Sequence, residues 1–136
     1  MENEIIKLNP FNLKNKLITK EGVNKILKEY DIEEEIHNLE YYQRAFIHKS
    51  YIKKENKDDV ELEEKPEDCL DLQETSNERL EYLGDAILSA TVASYLYERF
   101  PNEEEGFMTR IRTKLVNGEM LGSLADKMDL NEHLVI

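Results

Sequence analysis

The sequence predicts an all-α domain. Apolar residues recur at three- and four-residue spacing along most of the chain, no stretch alternates with period two for long enough to make a strand, and only five Gly and three Pro interrupt 136 residues. A chain of this length supports one domain with a real core and is short for two.

Taken in order, residues 1–19 read as an N-terminal extension and residues 20–136 as the domain. Segment 20–48 reads as helical in two pieces, with Val23, Ile26, Leu27 and Tyr30 on one stripe and Ile36, Leu39, Tyr42, Phe46 and Ile47 on the next. From about 53 to 75 the chain is charge-dense, carries Pro66 and has little periodicity, which predicts a solvated, mobile acidic insertion. A long helix follows from about Ser76 to Arg99 and stops before Phe100-Pro101, where proline disfavours continuation. Asn102–Glu105 lead into another helix whose apolar stripe is Phe107, Met108, Ile111, Leu115 and Val116. Asn117-Gly118 breaks it, and a shorter helix runs through Met120, Leu121, Leu124, Ala125 and Met128.

Composition sets further bounds. No apolar run approaches the roughly 20 residues that span a bilayer, and the N-terminus lacks the basic start and apolar stretch of a secretory signal. The single cysteine, Cys69, rules out an intramolecular disulfide framework and points to a reducing, intracellular compartment, nucleus and cytoplasm being indistinguishable. The net charge of −12, from 18 basic and 30 acidic residues, is the opposite of a nucleic-acid footprint. Composition alone favours a protein-binding or structural role, unless cations mediate the contact or basic parts lie elsewhere.

The long helix carries the informative pattern. Glu78, Glu81 and Asp85 fall at roughly 0°, 300° and 340° around a helical wheel, one narrow carboxylate stripe. Leu80, Leu83 and Ile87 fall at roughly 200°, 140° and 180°, so the acids are expected to face away from the helix's own buried stripe. Two readings stand at this point. The stripe is an ordinary solvated acidic face, with Glu78 closing a capping box on Thr75; or it is a Mg²⁺ site, since hard cations prefer carboxylate oxygens and a helix presents two such ligands about one turn apart.

The identity of the residues separates these readings. Asn77-Glu-Arg-Leu-Glu-Tyr-Leu-Gly-Asp85 followed by Ala86-Ile-Leu88 closely resembles the signature helix of the ribonuclease III family. Upstream, Ala45-Phe-Ile-His-Lys-Ser-Tyr51 is similar to that family's Thr-His-Lys-Ser-Tyr element. Downstream, Phe100-Pro101, Glu105-Gly106, Arg110-Ile-Arg112 and Leu115-Val116 follow in family order, so the resemblance covers about residues 39–134.

The resemblance implies a ribonuclease III-like helical nuclease domain: an endoribonuclease that hydrolyses phosphodiester bonds of double-stranded RNA with Mg²⁺, for which Mn²⁺ substitutes. Glu81 and Asp85 match the family's catalytic metal ligands; Glu78 and Glu105 match two accessory catalytic acids. Metal ions in that chemistry activate a water for in-line attack and stabilise the leaving 3′ oxygen, and bound cations reverse the potential that a phosphate meets. Tyr82 matches an aromatic that the family inserts into a partner subunit, implying a homodimer; the competing plain reading is a core aromatic. Lys49, Lys53, Lys54, Arg110, Arg112 and Lys114 are the candidate RNA phosphate contacts, or else partners for the many acids. His48 is expected to be a hydrogen-bonded structural histidine.

Three departures from the family pattern matter. The acidic insertion at 53–75 is longer than the usual link. No double-stranded RNA-binding domain follows. The family's Asp and Glu on a later helix, which complete the metal site, have no counterpart before Ile136, since Asp126, Asp129 and Glu132 fall in the preceding segment. The expectation is an incomplete domain, truncated on its C-terminal side, that holds half the metal cage and is inactive alone. A non-catalytic ribonuclease III-like module for dimerisation or RNA scaffolding is the alternative, and an acidic helical protein-interaction domain the third.

Overall fold

The computed structural model describes residues 6–55 and 60–136. Residues 1–5 of the predicted extension and 56–59 of the predicted insertion lie outside the described residues. Among the described residues five helices dominate: α1 (Lys20–Glu29), α2 (Leu39–Ala45), α3 (Glu78–Arg99), α4 (Glu105–Leu115) and α5 (Gly118–Lys127), with 3₁₀ turns at Lys49–Tyr51 and Leu130–His133. Two three-residue strands, β1 (Ile6–Leu8) and β2 (Val60–Leu62), pair in parallel with Ile6 opposite Val60 and Leu8 opposite Leu62. The fold is the expected helical one, with this small sheet added. Three residues are too few to show alternation, and the pairing joins segments more than fifty residues apart, so no local pattern announces it.

The chain divides into two compact units, one of residues 1–78 with 133–136 and one of residues 79–132. In the first, α1 starts where Thr19 accepts a hydrogen bond from the Gly22 N–H and ends ahead of Asp31, which takes a left-handed φ of 55°. Asn38 caps α2 in the same way, and Glu40 pairs with Arg44 one turn on at 2.7 Å. These helices close a small core of Ile18, Val23 and Ile36, against which Ile26, Leu27, Leu39, Tyr42 and Phe46 pack.

A second core in this unit is built by segments distant in sequence. Ile47, Tyr51 and Val135 are buried together, flanked by Leu17, Ile52, Leu70 and Leu72. Val135 pairs with Ile47 as a parallel bridge, accepting from the His48 N–H and donating to the Phe46 carbonyl, both at 2.9 Å. Buried Asn15 donates to the Ile136 carbonyl at 2.8 Å and accepts from the Ile136 N–H at 3.2 Å, so its amide is satisfied on both sides. Asn15, within the predicted N-terminal extension, is thereby bonded into this unit.

Most described residues of the 53–75 segment are exposed, but part of it packs inward. Beyond contributing β2, it buries Cys69 and packs Leu70 and Leu72 on the second core. The Tyr51 hydroxyl donates to the Leu70 carbonyl at 2.7 Å, and backbone bonds join Gln73 to Tyr51 and Lys53 to Gln73. Its apolar residues are few and irregularly spaced, but they meet a core that the rest of the unit supplies.

In the second unit α3 ends at Arg99, before Pro101, as predicted. Phe100 and Phe107 pack edge-to-face at 5.2 Å across the turn that follows. Asn117 joins α4 to α5: its Oδ1 accepts from the Met120 N–H at 2.9 Å, and its Nδ2 donates to the Thr113 and Lys114 carbonyls at 3.1 Å. One side chain thus satisfies orphan groups at the end of one helix and the start of the next. Leu96 is fully buried, whereas the predicted stripes of α4 and α5 are half-buried or exposed.

Candidate metal centre

α3 begins at Glu78, two residues later than the sequence suggested. Glu78 is thus the first helical residue and not the third, and the expected capping box with Thr75 does not form. Instead the Glu78 carboxylate accepts from the Ser76 hydroxyl at 3.1 Å and lies 3.7 Å from the Lys49 ammonium. All three acids of the stripe sit in the first two turns of α3, and at Glu78, in the first turn, the positive end of the helix dipole favours the charge.

The wheel reading of α3 needs correction. Leu80 of the predicted stripe is half-buried, but farther along the helix Leu88, Val92 and Leu96 are covered, with Ser89 and Ala93 beside them, and these three continue the line of Glu81 and Asp85 along the axis. Leu83 and Ile87, expected to be buried opposite the acids, are 54% and 57% exposed. Tyr82 is 84% exposed in this chain. Spacing fixes which residues share a face. Which face is covered depends on where other chain segments dock, and a wheel does not contain that information.

Glu81 and Asp85 are both exposed and lie about one turn apart on the same face, so two hard oxygen ligands are presented together. This donor set fits Mg²⁺ or Mn²⁺ as part of a coordination sphere. Glu105 does not join them in this chain. It opens α4, accepts from the Thr109 hydroxyl at 2.7 Å and lines a cavity of about 280 Å³ with Ala93, Leu96, Tyr97, Met108 and Arg112. Ala93 lies about 12 Å of helix rise beyond Asp85. Among the described residues no group of three His, Cys, Asp or Glu side chains is close enough together to hold a metal ion.

The candidate phosphate contacts divide. Lys49 pairs with Glu78, and Lys53 pairs with Glu74, whose carboxylate raises the Lys53 ammonium above its ordinary pKa. Arg110, Arg112 and Lys114 on α4 make no ion pair among the described residues. His48 has the structural role expected: its Nδ1 accepts from the Ser50 N–H at 3.2 Å and contacts the Ser50 hydroxyl at 2.8 Å, capping the Lys49–Tyr51 turn. Sequence reasoning missed Asn77. It donates through its backbone to the Ile47 carbonyl at 2.8 Å and through its side chain to the Ala45 carbonyl at 3.2 Å. Its only local signal is its place at the head of the acidic run.

With this geometry in hand, comparison with known proteins is informative. Residues 78–136 match the ribonuclease III domain family, a stretch that starts at the first acid of α3. The chain is 34% identical over 133 residues to a probable ribonuclease 3 of Acanthamoeba polyphaga mimivirus, covering 93% of this chain and 24% of that protein. It is 37% identical over 98 residues to ribonuclease 3 of Leptospira interrogans, covering 72% of this chain and 34% of that one. The chain thus spans about a quarter to a third of the length of these relatives. Its fold is similar to the nuclease domain of ribonuclease III from Campylobacter jejuni, with a TM-score of 0.61 and 25% identity over 84% of this chain and 64% of that one. That structure is described for flexibility in a region involved in dimer formation. Among the described residues no helix is long and apolar enough to cross a membrane.

Proposed function

The chain belongs to the ribonuclease III family, and from that premise we propose that it is an endoribonuclease domain for double-stranded RNA, using Mg²⁺ and acting as a homodimer. The observation that carries the reading is the pair Glu81 and Asp85, exposed together on one face of a helix whose sequence is the family signature. These two carboxylates would hold the metal. When bound, Mg²⁺ supplies charge stabilisation at the phosphodiester and makes a water acidic enough to serve as nucleophile near neutral pH. Glu78 stands on the same stripe as an accessory acid. Arg110, Arg112 and Lys114, with no ion pair among the described residues, are the cations to meet phosphate, whereas Lys49 and Lys53 must first leave their carboxylate partners.

Dimerisation is supported by the exposed face of α3. Tyr82, Leu83 and Ile87 are large apolar residues left exposed on α3, as are Tyr95 and Tyr97 farther along it, and exposed apolar surface of this kind marks interfaces. The free, buried thiol of Cys69 suits a reducing intracellular setting.

The test is cleavage of long duplex RNA in Mg²⁺ by the full product of the reading frame. Cutting that is lost in Glu81→Gln and in Asp85→Asn is expected. Cutting that survives both substitutions refutes the assignment, and binding without cutting favours a non-catalytic dimerisation or scaffolding module. The 136-residue chain alone, with two metal-matching carboxylates, is expected to leave duplex RNA intact at ordinary enzyme concentrations. Robust cleavage by the purified chain would overturn that part of the account.

A further inference from the structure

Asn77 heads the acidic run but carries no charge, and nothing in the metal chemistry accounts for it. Its two hydrogen bonds do. Backbone N–H to Ile47 and side-chain Nδ2 to Ala45 make a two-point attachment to carbonyls two residues apart, which fixes orientation as well as position. The segment it grips is itself rigidly held, since Ile47 is buried and its neighbours bond the Val135 backbone on both sides. Lys49 follows on that same segment, and its ammonium meets the carboxylate of Glu78, the residue next to Asn77.

We infer that Asn77 is a positioning residue, which through this double attachment seats the Glu78 carboxylate against Lys49 and Ser76 at the head of the acidic stripe. The ion pair does not hold the helix start by itself. At 3.7 Å, with both side chains more than half exposed, it contributes little. The Ser76 hydroxyl is a local contact that travels with the helix. Among the described residues, the hydrogen bonds that tie Asn77 to a buried element are those to Ile47 and Ala45. The role requires an amide donor, because aspartate of the same shape would set a carboxylate oxygen against the Ala45 carbonyl oxygen. The inference rests on reading Glu78 as an accessory acid of a metal centre, but the attachment itself is testable without metal.

The experiment is NMR of the full chain, wild type against Asn77→Ala and Asn77→Asp, first without metal. Wild type should show hydrogen-bond scalar coupling from the Asn77 amide to the Ile47 carbonyl, and a cross-peak between the Lys49 and Glu78 side chains. Both variants should lose that cross-peak while the core resonances of Tyr51 and Val135 stay in place, and Asn77 amide exchange should quicken roughly fivefold. Absence of the coupling in wild type, or a cross-peak that survives in folded Asn77→Ala or Asn77→Asp, overturns the inference; the first needs no variant to fold. Adding Mn²⁺ then separates the two readings. Broadening at Glu81 and Asp85 in all three proteins, with Glu78 broadened as they are in wild type alone, supports both. Broadening at Glu78 that is the same in wild type and variants overturns the positioning role. No broadening in α3 of the wild type overturns the metal reading, and with it the purpose assigned to the attachment.

Discussion

Tyr82→Ala separates an interface residue from a core residue by moving two measurable quantities in different directions. The Tyr82 side chain is 84% exposed in the single chain, so truncation removes almost no packing from the chain's own interior. A buried aromatic changed to alanine costs about 3–5 kcal/mol of stability, whereas exposed positions stay within about 0.5 kcal/mol. Alanine is also the better helix former by roughly half a kcal/mol. Monomer stability should hold or rise slightly. Association should collapse: a tyrosine with about 200 Å² to bury is worth up to roughly 5 kcal/mol at about 25 cal/mol per Å², and truncated interface anchors cost about 2–4 kcal/mol.

A symmetric dimer loses two such anchors, so dissociation should strengthen by roughly 4–8 kcal/mol, at least about a thousandfold in Kd. Sedimentation equilibrium of both proteins across a concentration series, beside thermal melts at a concentration where both are monomeric, reads the two quantities. A dimer of unchanged mass and affinity would refute the reasoning. So would a large loss of monomer stability, which would mean that Tyr82 packs within its own chain.

Other expectations follow from the first unit. Tyr51→Phe deletes a 2.7 Å bond from a fully buried ring and strands the Leu70 carbonyl, so urea unfolding at neutral pH should register a loss of about 1–2 kcal/mol. Burial first, and then the neighbouring Cys69 thiol, raise the Tyr51 hydroxyl above its ordinary pKa of 10.0. The unfolded chain therefore ionises first, and the stabilisation is whole below that value and is lost as pH rises through the folded one. Unfolding followed upward from pH 9 should show this decline in wild type and a shallower one in Tyr51→Phe; equal slopes would contradict it. Val135→Ala should cost about 2 kcal/mol, because Val135 is fully buried between Ile47 and Tyr51. A neutral result would mean that this segment is not docked as described.

Much of the fold was legible because it is written in local periodicity. The breaks at Phe100-Pro101 and Asn117-Gly118 fall where proline geometry and an asparagine cap put them. What escaped depends on pairing across the chain. β1 finds β2, Asn15 finds Ile136, and Leu70 and Leu72 of the acidic segment find a core around Tyr51. In the site, the shared face of Glu81 and Asp85 followed from spacing, and their chemical meaning from residue identity. Two features did not follow. Leu83 and Ile87 carry the spacing of a buried stripe on a face that the chain leaves open, and Asn77 acts through backbone carbonyls that no side-chain motif records.

Mn²⁺ binding measured by electron paramagnetic resonance tests most directly whether the acidic face of α3 is a metal site. Wild type should take up Mn²⁺ at one site per chain, Mg²⁺ should displace it, and the Glu81→Gln/Asp85→Asn double variant, with its helical circular dichroism unchanged, should bind none. Equal uptake by wild type and the double variant would contradict it.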